Sequence, residues 1–168
     1  KVGLSVDIAV PFSPAMAAGA ARLDRVSMGT LRLAEHEAIK GLPGGGHTIA
    51  RHVGKTPAEM QRRLELVLAS GRKSPAPISS FHSLEEAERA ITQALQAERA
   101  KIKSWASSAL APEERFLEFS YRLNRPTGIV VKYGSNTVFP GNGIKVVLRR
   151  QFHGDRPYYI LTAYPEIL

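Results

Sequence analysis

Arg115-Phe116-Leu117-Glu118-Phe119-Ser120-Tyr121-Arg122-Leu123 is where the chain changes its period. Upstream of it, apolar residues recur at helical spacing, and within it they alternate. Side chains of an extended chain point to opposite faces in turn, so Phe116 and Glu118 fall on one face and Leu117, Phe119 and Tyr121 on the other. Three further β-rich runs follow. Gly128-Ile129-Val130-Val131-Lys132-Tyr133 comes after a Pro126-Thr127-Gly128 turn. Ile144-Lys145-Val146-Val147-Leu148-Arg149 comes after Pro140-Gly141-Asn142-Gly143, and residues 157–164 come after Gly154-Asp155. Short β-rich runs between turn residues predict an antiparallel meander. Helices first and strands second predict an α+β fold. In the last run, Tyr158, Ile160, Thr162 and Tyr164 share a face by period two. Thr162 and Tyr164 then present two hydroxyls side by side before Pro165, although a half-buried strand edge without a role gives the same pattern.

Working upstream, Ser83 and Glu86 predict a capping box that opens the longest helix. Leu84, Ala87, Ile91, Leu95, Ile102 and Trp105 lie on one side of it, and Ser107-Ser108 and Pro112 end it. Ile78-Ser79-Ser80-Phe81-His82 leads in. A second amphipathic helix runs from Thr56 to about Ala69, with Thr56 as N-cap, Pro57 at the first position and Glu59 closing a capping box. With Met60 set at zero, Arg63 projects at about 300°, beside Val67 at about 340°, and Arg62 at about 200° on the opposite face. Arg63 is therefore the cation turned to an interior or a cleft, and an arginine snorkelling from a core rim would project the same way.

Just before that helix lies Gly44-Gly45-Gly46-His47-Thr48-Ile49-Ala50-Arg51-His52-Val53-Gly54-Lys55. It reads as a glycine turn and a short helical segment stopped at Gly54. This places His52 between the end of one helix and the start of another. Histidine is the side chain that titrates near neutral pH. Two ordinary histidines on a solvated loop are the plainer reading. Residues 1–43 differ in composition, rich in Ala and Gly and near neutral in charge. They predict a lead-in or linker with weak helix over about 22–40, His36 as a solvated surface group, and a boundary at 43/44. The start, Lys1-Val2-Gly3-Leu4, lacks an initiator methionine and a signal-peptide pattern, which reads as a piece of a longer protein.

The 168 residues suffice for one domain with a respectable core. There is no cysteine, so disulfides and thiolate metal sites are excluded. No apolar run approaches the roughly 20 residues of a membrane span. The net charge of +8 is unevenly spread. Residues 47–80 hold six cations against two acids and residues 111–168 eight against five, while 81–110 balance at four each. A polyanion such as RNA suits that pattern, with Arg51 and Lys55 as candidate phosphate contacts. No Asp/Glu cluster accompanies the histidines, so no metal is expected.

His47-Thr48-x-x-x-His52-Val53-Gly54-Lys55-Thr56, then Arg63-Leu64, Ser79-Ser80-Phe81, Thr127-Gly128 and Ile160-Leu161-Thr162-Ala163-Tyr164-Pro165 resemble the bacterial ribonuclease A-like toxin domain. That domain stands at the C-termini of contact-dependent growth inhibition proteins and other polymorphic toxins. The resemblance covers about residues 44–168. It implies N-terminal helices packed on a curved antiparallel sheet without disulfides. It also implies an active site of His52, Arg63, Thr162 and Tyr164, with His47 as the alternative catalytic histidine. The implied activity is endonucleolytic RNA cleavage, with tRNA a candidate substrate and no cofactor. The implied biology is secretion or cell-surface delivery into the cytoplasm of a target bacterium, and neutralisation by a cognate immunity protein, expected to be acidic. His153 precedes the last strand and does not lie in it, which leaves the second proton-transfer group to His47 or Tyr164. The rival reading is a basic RNA-binding module without catalysis, which uses the same cations and does not need His52.

Overall fold

Residues 31–109 and 112–168 are described by the computed structural model. Among them the helices are α1 (Thr48–His52), α2 (Pro57–Ala69), α3 (Leu84–Ala97) and α4 (Arg99–Ser107). The strands are β1 (Ile78–Phe81), β2 (Phe116–Arg122), β3 (Gly128–Val131), β4 (Val138–Gly141), β5 (Gly143–Arg149) and β6 (Tyr159–Glu166). The fold is α+β. The strands pair antiparallel in two sheets, ordered β1-β3-β4 and β2-β5-β6.

The larger core lies on the second sheet and takes in Phe81 of β1, and a smaller one lies on the first sheet. Phe119, Ile144, Val146, Leu148, Ile160 and Ala163 of the second sheet pack against α3 and α4. Trp105 meets Tyr158 edge-on with ring centroids 5.5 Å apart. Met60 and Leu64 of α2 pack on Ile78 and Val131 of the first sheet. The capping box of α2 is formed, with the Thr56 N–H donating to Glu59 Oε2 at 2.7 Å and the Glu59 N–H to Thr56 Oγ1 at 3.2 Å. Between the two cores lies α1, packed on β6 and β1.

Several expectations need correction. The long helix is two helices, because Glu98 leaves helical geometry at φ −95°, ψ 12°. Residues 78–81 are a strand, not a lead-in; all four are buried, so no alternation betrays them. Residues 138–141 are an edge strand where a turn was expected, and an edge tolerates Pro140. The shared face of the last strand is broken. Val147 pairs with Thr162 and Leu148 with Ile160, so Leu161 is an extra residue in a β-bulge. Tyr158 and Ile160 therefore face the core, while Thr162 and Tyr164 face the other way.

Of the weak helix expected over about 22–40, residues 22–30 lie outside the described residues, and residues 31–40 hold only a 3-10 turn at Leu33–Glu35. Packing begins upstream of the composition break at 43/44. Leu31 and Leu33 are fully buried in the larger core. His36 is not a solvated group but is 2% exposed. Its Nδ1 accepts the Ile160 N–H at 3.2 Å, and its carbonyl accepts the Gly46 N–H at 2.6 Å. Burial, then Arg156 and His153, lower its pKa to about 3.

Candidate active site

The placement of His52 starts from the bulge. A bulge leaves ladder groups unpaired, and the turn into α1 takes them. The His47 N–H donates to Leu161 O at 3.0 Å, and Thr48 Oγ1 accepts the Ala163 N–H at 3.0 Å. A Cβ on Gly46 would collide with the Ile160 and Leu161 carbonyl oxygens, so only glycine allows this approach. At the helix start, the Glu37 carboxylate accepts the Ile49 N–H at 3.0 Å and the Ala50 N–H at 3.2 Å, satisfying donors that a helix end leaves open. Beyond His52, Val53 bridges Phe81, and Gly54 turns at φ 65° with its N–H on Phe81 O at 3.0 Å. The ring is thus held from both sides.

His52 Nδ1 lies 2.9 Å from Ser79 O. A carbonyl only accepts, so Nδ1 carries the hydrogen and Nε2 keeps its lone pair. Burial first, then Arg63, His47 and Arg51, lower the His52 pKa to about 4, against the opposing Ser79 bond. The imidazole is neutral at neutral pH. Its ring centroid is 5.2 Å from that of Tyr164 and 6.4 Å from that of His47. His47 also has its pKa lowered, by burial and by Arg51. Burial raises that of Tyr164, whose hydroxyl therefore holds its proton. Thr162 precedes Tyr164 on the same face, buried, its Oγ1 without a hydrogen-bond partner.

The helical projection of α2 agrees with the structure. Arg62 is exposed, while Arg63 is half-buried and donates from Nη1 to Arg51 O at 3.2 Å. Arg51, Lys55 and Arg63, with Glu59, line a hollow of about 420 Å³ between α1 and α2. A separate cleft of about 550 Å³ is lined by His52, Ser79, Lys132, Tyr164 and Glu166. His52, His47, Arg63, Arg51 and Tyr164 are therefore brought together, with Lys55 in the cationic hollow and Thr162 next along β6. Among the described residues, no three His, Cys, Asp or Glu side chains are grouped to hold a metal ion. Sequence reasoning missed the Ser79 carbonyl, the Glu37 tether, Lys132 and Glu166. The first two act through backbone groups that no residue type announces, whereas Glu166 continues the Thr162-Tyr164 alternation and was open to reading.

The sequence model of the family described as bacterial CdiA-CT RNAse A domain matches residues 46–165. Among solved structures, the chain resembles one in the crystal structure of a CdiA-CT/CdiI complex from Y. kristensenii 33638, with 32% identity and a TM-score of 0.60. The match covers 73% of this chain and all of that one. No curated protein matches the chain significantly.

Proposed function

The chain belongs to the family of bacterial CdiA-CT RNase A domains, and from that membership we infer that it is a metal-independent endoribonuclease toxin domain. It cleaves RNA by attack of a ribose 2′-OH on the adjacent phosphate, leaving a 2′,3′-cyclic phosphate and a 5′-hydroxyl. His52 Nε2 takes the 2′-OH proton as general base. The planar fork of Arg63 holds the phosphate and neutralises the pentavalent intermediate, with Thr162 donating a hydrogen bond to its oxygens. As the O2′–P bond forms and the P–O5′ bond breaks, Tyr164 gives its proton to the leaving oxygen, and both groups re-equilibrate with water. Tyr164 suits that step better than His47, because its pKa is raised while that of His47 is lowered. Arg51 and Lys55 take neighbouring phosphates.

The observation that carries this reading is the His52 Nδ1–Ser79 O bond, which supports a basic Nε2 beside Tyr164 and Arg63. The same membership supports delivery into the cytoplasm of a target bacterium. It also supports a cognate immunity protein, in line with the partner-bound state of the similar structure. The test is incubation with RNA in excess chelator, with fragment ends identified by mass. Fragments ending in 2′,3′-cyclic phosphate are expected. Cleavage only on adding a divalent cation overturns metal independence, and RNA bound but intact under both conditions returns the non-catalytic module.

A further inference from the structure

Beyond Tyr164, the face of β6 turned away from the larger core continues to Glu166. Tyr164 pairs with Lys145 and Glu166 with Gly143, with no second bulge between them. Thr162, Tyr164 and Glu166 therefore form one row along the strand. Two members of that row carry buried side-chain oxygens with no hydrogen-bond partner, Thr162 Oγ1 and Glu166 Oε1. A native structure rarely leaves such an atom unpaired without a reason. Thr162 has one in the phosphate. Glu166 lies too far along the strand for the phosphate that Thr162 takes, since four residues advance about 13 Å.

Glu166 lines the 550 Å³ cleft. That volume falls in the range of small-ligand sites, about 300–1,000 Å³. The cleft differs from the hollow between α1 and α2. Arg51, Lys55 and Arg63 make that hollow cationic, whereas this cleft has apolar walls from Pro77, Val130, Pro165 and Ile167, with Glu166 and Lys132 as its charged members. Lys132 Nζ sits 4.7 Å from the centroid of the Phe139 ring, which holds it in place. RNA is read by splaying a base out, packing its faces and bonding its edge. Apolar walls, an acceptor and a cationic donor make such a pocket.

We propose that this cleft is the base-recognition subsite of the domain and that Glu166 selects guanine. This rests on the ribonuclease reading above. A carboxylate only accepts hydrogen bonds, and guanine is the base with two adjacent donors on one edge, its N1–H and N2–H. Glu166 takes those two, and Lys132 donates to guanine O6. Cytosine and adenine offer one amino group beside an acceptor nitrogen that the carboxylate repels, and uracil offers one N–H between two carbonyls.

The test titrates the full chain with the 3′-monophosphates of guanosine, adenosine, cytidine and uridine, with inorganic phosphate as the backbone-only probe. Guanosine 3′-monophosphate should bind about tenfold or more tightly than the others, the scale of one good bidentate base contact. Glu166→Gln places an amide donor against guanine's donors and should erase that advantage while phosphate binding persists. Cleavage of deoxyoligonucleotides that hold a single ribonucleotide, guanosine, adenosine, cytidine or uridine in turn, should show the same preference. Equal binding of all four nucleotides, preference for another base, or a guanine preference that Glu166→Gln leaves intact overturns the proposal. Selective guanosine 3′-monophosphate binding with no RNA cleavage keeps the subsite and overturns the ribonuclease reading.

Discussion

In the proposed mechanism His52 presents a free Nε2 because of what its other nitrogen is doing. With Nδ1 committed to Ser79 O, the proposed mechanism leaves Nε2 to meet the substrate, and burial first, then Arg63, His47 and Arg51, keep the ring neutral. The consequence for pH is direct. A base works when deprotonated, so kcat/KM should fall as pH drops through the His52 value of about 4, not through the 6.5 of a solvated histidine. Arg63→Gln should cost about 10²–10³ in rate, as losing a transition-state donor does, and should also move the acid limb upward, because Arg63 is one of the cations lowering that pKa. Arg62→Ala should do little. An acid limb near 6.5 in the wild type, or equal losses from the two arginines, would remove His52 and Arg63 from these roles. The orientation of Arg63 was legible because a helix has a fixed period. The faces of Tyr158 and Ile160 were misread because period two holds only while the ladder is regular, and Leu161 interrupts it.

The bulge and α1 explain each other. A five-residue helix is too short to stand alone, and it is held by what β6 leaves unpaired and by the Glu37 carboxylate. None of this is local in sequence, so the glycine run was visible while its reason was not. Gly46→Ala should lift α1 off β6, lowering both the melting temperature and RNA cleavage, because the added methyl meets two backbone carbonyls that cannot yield. Unchanged cleavage by a folded Gly46→Ala would mean that the close approach does not position His52. His36 does similar work at the head of the strand, where Arg156, ion-paired to Glu35, and His153 face its ring. Its Nδ1 must stay an acceptor for the Ile160 N–H. The unfolded chain protonates this histidine near 6.5 and the folded one at about 3, so the unfolded state binds more protons between those values. Stability should therefore be full above pH 6.5 and decline as pH falls towards 3. Denaturant melts of His36→Asn, which keeps an acceptor but cannot titrate, should show a shallower decline. A slope matching the wild type would exclude His36 as a source of acid lability. The cleavage profile has to be read beside such melts, since both fall in acid.

Across the whole molecule, the site occupies the seam between two small cores, and the positive segments flank it. The helical stripes that build those cores were legible. The division of the strands into two sheets was not, because it depends on β1, whose Ser79-Ser80 centre carries no β pattern, and on β4, whose Pro140 reads as a turn. An acidic immunity protein covering His52 and Thr162 should associate more slowly as salt rises, since exposed charges are screened within about 10 Å at 0.1 M. A salt-indifferent association rate, or a footprint confined to α3 and α4, would argue for another face. Composition sets a boundary at 43/44, and no candidate catalytic residue precedes it. Packing points further upstream, because Leu31 and Leu33 fill the larger core and His36 ties residues 31–46 to β6. Emptying a fully buried leucine site costs about 2–5 kcal/mol, and a domain holds only about 5–15 kcal/mol in all. A chain starting at residue 44 loses both leucines and the His36 bond together. It should melt far below a chain starting at residue 31, or show no cooperative melt, and should lose RNA cleavage through unfolding although every candidate catalytic residue is present. Thermal melts and cleavage assays on the two truncations decide the matter. Equal melting temperatures and equal activity would place the boundary at 43/44 and reduce the contacts of residues 31–38 to a dispensable cover on the core.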